Sequence, residues 1–145
     1  MSKGKPRPKP GRKAPAESKS EKPPRPDHTK IALSFEHYEC GGRYCLSQWN
    51  QEQILSFLAC LQKLSQRTWV QLLEASSKNP TLKTGLNPTL YKESELSGVS
   101  WPAWLIRDSK ILGLRATDRR RVFGVRLENV FYVLWFDEGH QVCKM

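Results

Sequence analysis

Residues 111–143 read ILGLRATDRRRVFGVRLENVFYVLWFDEGHQVC, the densest run of strand-forming residues in the chain. Ile111 to Ala116 is a predicted strand, Thr117-Asp118 a turn, and Arg120 to Leu127 the next strand. Glu128-Asn129 is a tight connection into Val130 to Phe136, which is apolar at successive positions and so has no solvent face. A strand of that kind belongs inside a sheet covered on both sides. The stretch is expected to form a three-stranded antiparallel meander, with Asp137 to Met145 leaving the core or adding a short edge strand. It also holds the only triple arginine, Arg119 to Arg121, and places His140 just past its most apolar strand.

Upstream, the spacing predicts helices. Asn50 reads as an N-cap with Gln53 three residues on, the reciprocal pattern of a capping box. Ile54, Leu55, Phe57, Leu58, Leu61 and Leu64 then fall at helical spacing as the inner stripe. Ser65 is the predicted cap of a second helix with Trp69, Leu72 and Leu73 inside, and Glu74 to Ser77 fray into a loop. Ile31 to Glu39 alternates with period two, Gly41-Gly42 supplies a hairpin turn, and Arg43 to Leu46 returns as a short strand. Asn79 to Asp108, punctuated by Pro80, Gly85, Pro88, Gly98 and Pro102, reads as a long loop whose Trp101 and Trp104 either pin it to the core or stack on a nucleotide base. The helical hairpin covers one face of the sheet, leaving the other to loop tryptophans or a partner.

The fold class that follows is α+β: an N-terminal β-hairpin, a helical hairpin on one face of a mainly antiparallel sheet, and the closing meander. Residues 31–145 form a single domain. Residues 1–30 carry seven of the ten prolines and ten Lys or Arg against three acids, which is net +7 and leaves only +3 of the chain's +10 for the domain. With almost nothing apolar to bury, this basic segment is expected to be a disordered tail. A mobile cationic arm favours polyanions through counterion release, without selecting a sequence; as a bland alternative it is a solubilising leader. It resembles neither a secretory signal nor a mitochondrial presequence. No window approaches the roughly 18 apolar residues of a membrane span, so a soluble, cytoplasmic protein without membrane contact is expected.

Several chemistries are disfavoured by spacing. Cys40, Cys45, Cys60 and Cys143 complete no four-ligand zinc pattern and read as structural thiols. Glu128, Asp137 and Glu138 are scattered over turns with no metal-ligand spacing, and neither a nucleophile elbow nor a Gly-rich phosphate loop occurs. No cofactor or metal is expected. Metal-free RNA cleavage asks for less, because the ribose 2′-hydroxyl is the nucleophile and the protein supplies a base, an acid and cations. His140 is the natural proton carrier. Arg119 and Arg121 share a face if the strand begins at Arg119, whereas Arg120 and Arg126 point to the other, and Arg115 precedes the turn. The bland alternative is a surface histidine and solvated or ion-paired arginines.

From Gln51 on, a helical hairpin, a loop and a meander in which RVFGVRLENVFYVLWF ends near an imidazole resembles the RelE/ParE superfamily of bacterial toxins, especially the RelE and YoeB-like mRNA interferases. The resemblance implies that Arg121, matching the strand-opening arginine, stabilises transition-state charge. It implies that His140, nineteen residues later, transfers protons. The chain departs from the YoeB-like pattern in placing Gln141 where a tyrosine follows the histidine, and only Glu93 and Glu95 stand where a further glutamate is used. The basic arm and the opening hairpin are departures too.

Together with the residues above, the resemblance implies a small metal-independent endoribonuclease toxin acting on mRNA, at the ribosome, and neutralised by a protein antitoxin. Arg121 and His140 are the catalytic candidates, with Lys110, Arg115, Arg119 and Lys144 holding the RNA backbone. One alternative is a non-catalytic nucleic-acid-binding or accessory protein, phage or mobile-element encoded, that uses the tail and the arginine-rich rim. Another is an interaction module whose doubly apolar sheet docks a protein.

Overall fold

A computed structural model describes residues 25–74 and 85–142. Its strands are β1 (Ala32–Ser34), β2 (Thr89–Tyr91), β3 (Ile111–Arg115), β4 (Arg121–Leu127) and β5 (Val130–Asp137), and its helices are α1 (Gln51–Ser65) and α2 (Trp69–Glu74). The strands form one five-stranded sheet in the order β1-β5-β4-β3-β2. β1 runs parallel to β5 and every other neighbour is antiparallel. The fold is α+β, and β3, β4 and β5 are the meander expected from the sequence.

β5 is buried on both faces. Phe131, Val133 and Phe136 join Phe57, Leu61 and Leu64 of α1 and Trp69 and Leu72 of α2 in a core on the helix side. Leu134 packs on the opposite side with Ile111, Phe123 and Val125, where Leu96, Val99, Trp101 and Leu105 of the long loop provide the cover. A β-bulge lies between: Phe123 pairs with Trp135 and Gly124 with Val133, so Leu134 is the extra residue. Gly124 permits the close approach, since a Cβ there would lie 2.3 Å from the Tyr132 carbonyl and 2.6 Å from the Phe131 ring.

The opening hairpin is not formed. β1 pairs instead with β5, in the register Ala32↔Val130 to Ser34↔Tyr132. After Gly41-Gly42 the chain makes a turn and a 3-10 turn, Leu46–Gln48. The long β5 edge explains the choice: β1 satisfies its first half, and the Tyr44 carbonyl accepts the Phe136 N–H beyond it. Buried backbone groups must be paired, and a hairpin closed on itself would leave that edge open.

Residues 25–30, expected to belong to the tail, are packed against the domain. Arg25 leads into a 3-10 turn, Pro26–His28, Asp27 pairs with Arg126, and Lys30 bridges to Thr68. Residues 1–24 of the expected tail lie outside the described residues, as do residues 75–84.

The Asn50–Gln53 capping box is present, with Gln53 N–H donating to Asn50 Oδ1 at 2.9 Å and Asn50 N–H to Gln53 Oε1 at 2.8 Å. α2 starts later than expected: Thr68, rather than Ser65, caps it and exchanges hydrogen bonds with Gln71. Phe57, Cys60, Leu61 and Leu64 form the buried stripe of α1, whereas Leu55 and Leu58 remain 66% and 50% exposed. Leu73 of α2 is also exposed, at 46%. The reason is angular, because one helix on a flat sheet buries little more than a 100° stripe. Leu61→Ala should therefore cost about 2–5 kcal/mol in urea unfolding. Leu58→Gln should stay within about 0.5 kcal/mol of the parent; similar losses for both would contradict this placement of the stripe.

β2, inside the segment read as loop, pairs with β3 from Thr89↔Gly113 to Tyr91↔Ile111. Its Tyr91 ring lies across Gly113, where a Cβ would come within 2.7 Å of it, and meets Phe123 at a centroid distance of 5.7 Å.

Candidate functional site

The β3–β4 connection is held by its own backbone. Ala116 and Thr117 N–H donate to the Arg120 carbonyl, and Thr117 Oγ1 accepts from Arg119 and Arg120 N–H. Sheet register sets Arg115 directly opposite Arg121. Like charges in that position repel, and each arginine has separate acceptors. Arg115 Nη2 donates to Asp118 Oδ1 at 2.8 Å, while Arg121 Nη1 donates to the carbonyls of Thr117 at 2.8 Å and Arg120 at 3.2 Å. Arg120 turns toward the helices, pairing with Glu138 and donating to Ser56 Oγ at 3.2 Å. Arg126 also lies on the helix side, its guanidinium 4.5 Å from the Trp69 ring centroid. The opposite facing of Arg120 and Arg126 relative to Arg121 thus follows strand alternation. Arg119 lies on the turn itself, exposed, and its guanidinium has no ion pair among the described residues.

The second half of the site is a turn after β5, built by Asp137. Its fully buried carboxylate accepts the N–H groups of Gly139, Gln141 and Val142 at 3.4, 3.1 and 2.8 Å. This wraps the chain tightly enough that His140 adopts φ 59°. His140 Nε2 stands 3.2 Å from the Asp118 carbonyl. A carbonyl only accepts, so Nε2 is the donor of this bond; Nδ1 is buried without a partner among the described residues. Gln141 is fixed in turn: its side-chain oxygen accepts from Arg43 Nη2 at 2.8 Å and its carbonyl from Ser97 Oγ at 3.0 Å.

Arg121 and His140 therefore share one turn, bonded to the consecutive carbonyls of Thr117 and Asp118, with Arg119 on that turn and Arg115 at the strand end that leads into it. α1 reaches it as well, since Cys60 Sγ lies 3.7 Å from the Arg115 carbonyl. Burial pushes the Cys60 thiol up to about 12, with Lys63 and Arg121 pulling the other way. Cys40 is exposed and Cys45, like Cys60, buried; all three are free thiols, and Cys143 lies outside the described residues.

Lys110 does not join this group. It precedes β3 while Arg115 ends it, a separation of about 16 Å at the usual strand rise. It lines instead a cavity of about 550 Å³ with Lys92, Glu93 and Arg107. Glu93 pairs there with Arg107, and Glu95 accepts the Lys92 N–H, so neither glutamate stands at the arginine turn. Lys144 lies outside the described residues. Asp137 and Arg43 were not among the candidates. Asp137-Glu138-Gly139 does carry a local signal, an aspartate closing a turn on the backbone two residues ahead.

No protein-family model matches the chain, and neither a curated protein nor a solved structure does. The functional reading therefore stands on the geometry and on the resemblance in sequence pattern. At this end of the sheet Arg43, Arg115, Arg119, Arg120 and Arg121 face Asp118, Asp137 and Glu138, an excess of positive charge suited to an anion. Among the described residues no helix is long and apolar enough to cross a membrane.

Proposed function

We propose that this chain is a small metal-independent endoribonuclease of the RelE-like kind, acting on single-stranded mRNA in the cytoplasm, at the ribosome, and held in check by a protein antitoxin. The observation that carries the reading is that Arg121 and His140 bond to adjacent carbonyls of one turn, with Arg115 opposite Arg121 in the sheet and Arg119 on the turn. A phosphodiester laid over this turn meets Arg119 first, whose guanidinium offers a forked pair of donors. Arg121 stabilises the charge gathering on the non-bridging oxygens as the 2′-hydroxyl attacks. In its doubly protonated form His140 exchanges its bond to the Asp118 carbonyl for a substrate oxygen and donates the Nε2 proton to the departing 5′-oxygen, while a solvent water takes the proton of the attacking 2′-hydroxyl. The basic residues of the N-terminal segment add sequence-independent affinity.

A second reading has its own support. His140 Nε2 is bonded to a backbone carbonyl and Nδ1 is buried, so in this conformer neither nitrogen is free to act as a base. That favours a protein that binds RNA at the arginine turn without cutting it.

The test is incubation of the purified chain with a labelled single-stranded RNA, free in the presence of a chelator and, in parallel, bound as mRNA to ribosomes. Products ending in a 2′,3′-cyclic phosphate are the expected result. Binding with intact RNA selects the second reading, and the absence of both binding and cleavage sinks the two together.

A further inference from the structure

On the sheet face away from the helices, two adjoining cavities of about 240 and 280 Å³ lie between the segment 37–44 and the segment 98–104. Glu39, Ser100, Leu134 and Trp135 line both. At one end His37 stacks on Trp104, with ring centroids 4.0 Å apart and planes inclined by 20°. Tyr132 stands beside them, 5.6 Å from His37 and 6.3 Å from Trp104. The two tryptophans of this loop differ in kind. Trp101 packs into the core and donates its indole N–H to the Leu105 carbonyl at 3.0 Å. Trp104 belongs to neither core and stays 38% exposed, so its stacking platform is not needed to close the fold.

At the other end Arg43 lies over the Tyr44 ring, 5.3 Å from its centroid, and bonds Gln141, the neighbour of His140. The groove thus runs from an aromatic stack to the arginine turn. Each cavity is smaller than the roughly 300–1,000 Å³ of a site for a drug-sized ligand, and fits one ring system with its polar edge toward Glu39 and Ser100.

We propose that this groove seats one unpaired nucleobase of a nucleic-acid strand whose phosphate lies at the arginine turn. The inference rests on the reading that the turn engages RNA, and it adds the element that would hold a strand in register. Every base has a π face, so the His37–Trp104 stack accepts an unpaired base as a third layer, whereas a base inside a duplex is already stacked and paired. The Arg43 guanidinium, between groove and turn, is placed for the linking phosphate.

The experiment uses the full chain and a short single-stranded RNA whose 2′-oxygens are methylated, which removes the nucleophile and keeps the strand intact. An abasic residue is moved through the strand while affinity is followed by fluorescence anisotropy. One abasic position should weaken binding by about tenfold or more. Trp104→Ala should impose a similar loss, and in that variant the abasic position should cost nothing further. Trp104→Phe should recover most of the affinity, and an unchanged thermal transition of Trp104→Ala shows that the fold is intact. Tolerance of abasic residues at every position, or losses that multiply, overturns the proposal. Arg119→Ala separates the two readings: if affinity is insensitive to it but the Trp104 coupling persists, the arginine-turn reading fails and the base site stands. If no strand binds, a free nucleoside monophosphate is titrated against tryptophan fluorescence. Quenching that Trp104→Ala abolishes keeps the groove as a nucleotide site, and no quenching removes it.

Discussion

Asp137→Ala is expected to destabilise the protein by about 3–5 kcal/mol, because it removes three hydrogen bonds to a charged acceptor and leaves their donors without partners. The Val142 N–H is buried and has no route to water, while the Gly139 and Gln141 groups are partly screened, so the total falls short of three full losses. Asp137→Asn keeps one oxygen acceptor but turns an amide donor toward a backbone N–H, and should lose about 1–3 kcal/mol. Urea unfolding of the two variants measures both values. A loss under about 1 kcal/mol for the alanine would mean that the turn carrying His140 is held by something other than this carboxylate.

The second large effect is on rate. His140→Ala should lower RNA cleavage by about 10²–10⁴-fold, the range for loss of a general acid or base. Arg121→Ala should lower it by about 10²–10³-fold, as for loss of one charge-stabilising donor. His140 is half-buried and makes one bond to a carbonyl, so its replacement should leave the thermal transition and RNA affinity near those of the parent. Arg121→Lys keeps the charge but loses the geometry that spans the Thr117 and Arg120 carbonyls, and should recover only part of the rate. Equal rates for parent, Arg121→Ala and His140→Ala would remove cleavage from this site.

What could be read in the sequence was mostly local. The capping box at Asn50 lies within one turn of chain, and it forms as expected. The meander was legible because short polar turns join β3, β4 and β5, and the same turns bring Arg121 toward His140. Gly41-Gly42 misled because the turn signal was local while the partner of β1 was not: the open edge of β5 drew it away. β2 escaped notice because three residues are too few to display a period. Lys110 was a different failure. An antiparallel meander puts residues 110 and 115 at opposite ends of their strand, so its exclusion from the site could have been deduced. Leu55 and Leu58 show the limit of an apolar stripe, since spacing gives the direction of a helix face but not how wide a surface the sheet covers.

The pairing of β1 with β5 joins Ala32 to Val130, nearly the full length of the domain. Such non-local contacts form late, because loop closure precedes the stabilisation they bring. During synthesis β1, the helices and the β3–β4 hairpin all emerge before β5, and β1 waits on the nascent chain with its edge unpaired. The strand that completes the sheet leads directly into the Asp137 turn, so both closure of the sheet and the placing of His140 against the β3–β4 turn wait on the synthesis of β5.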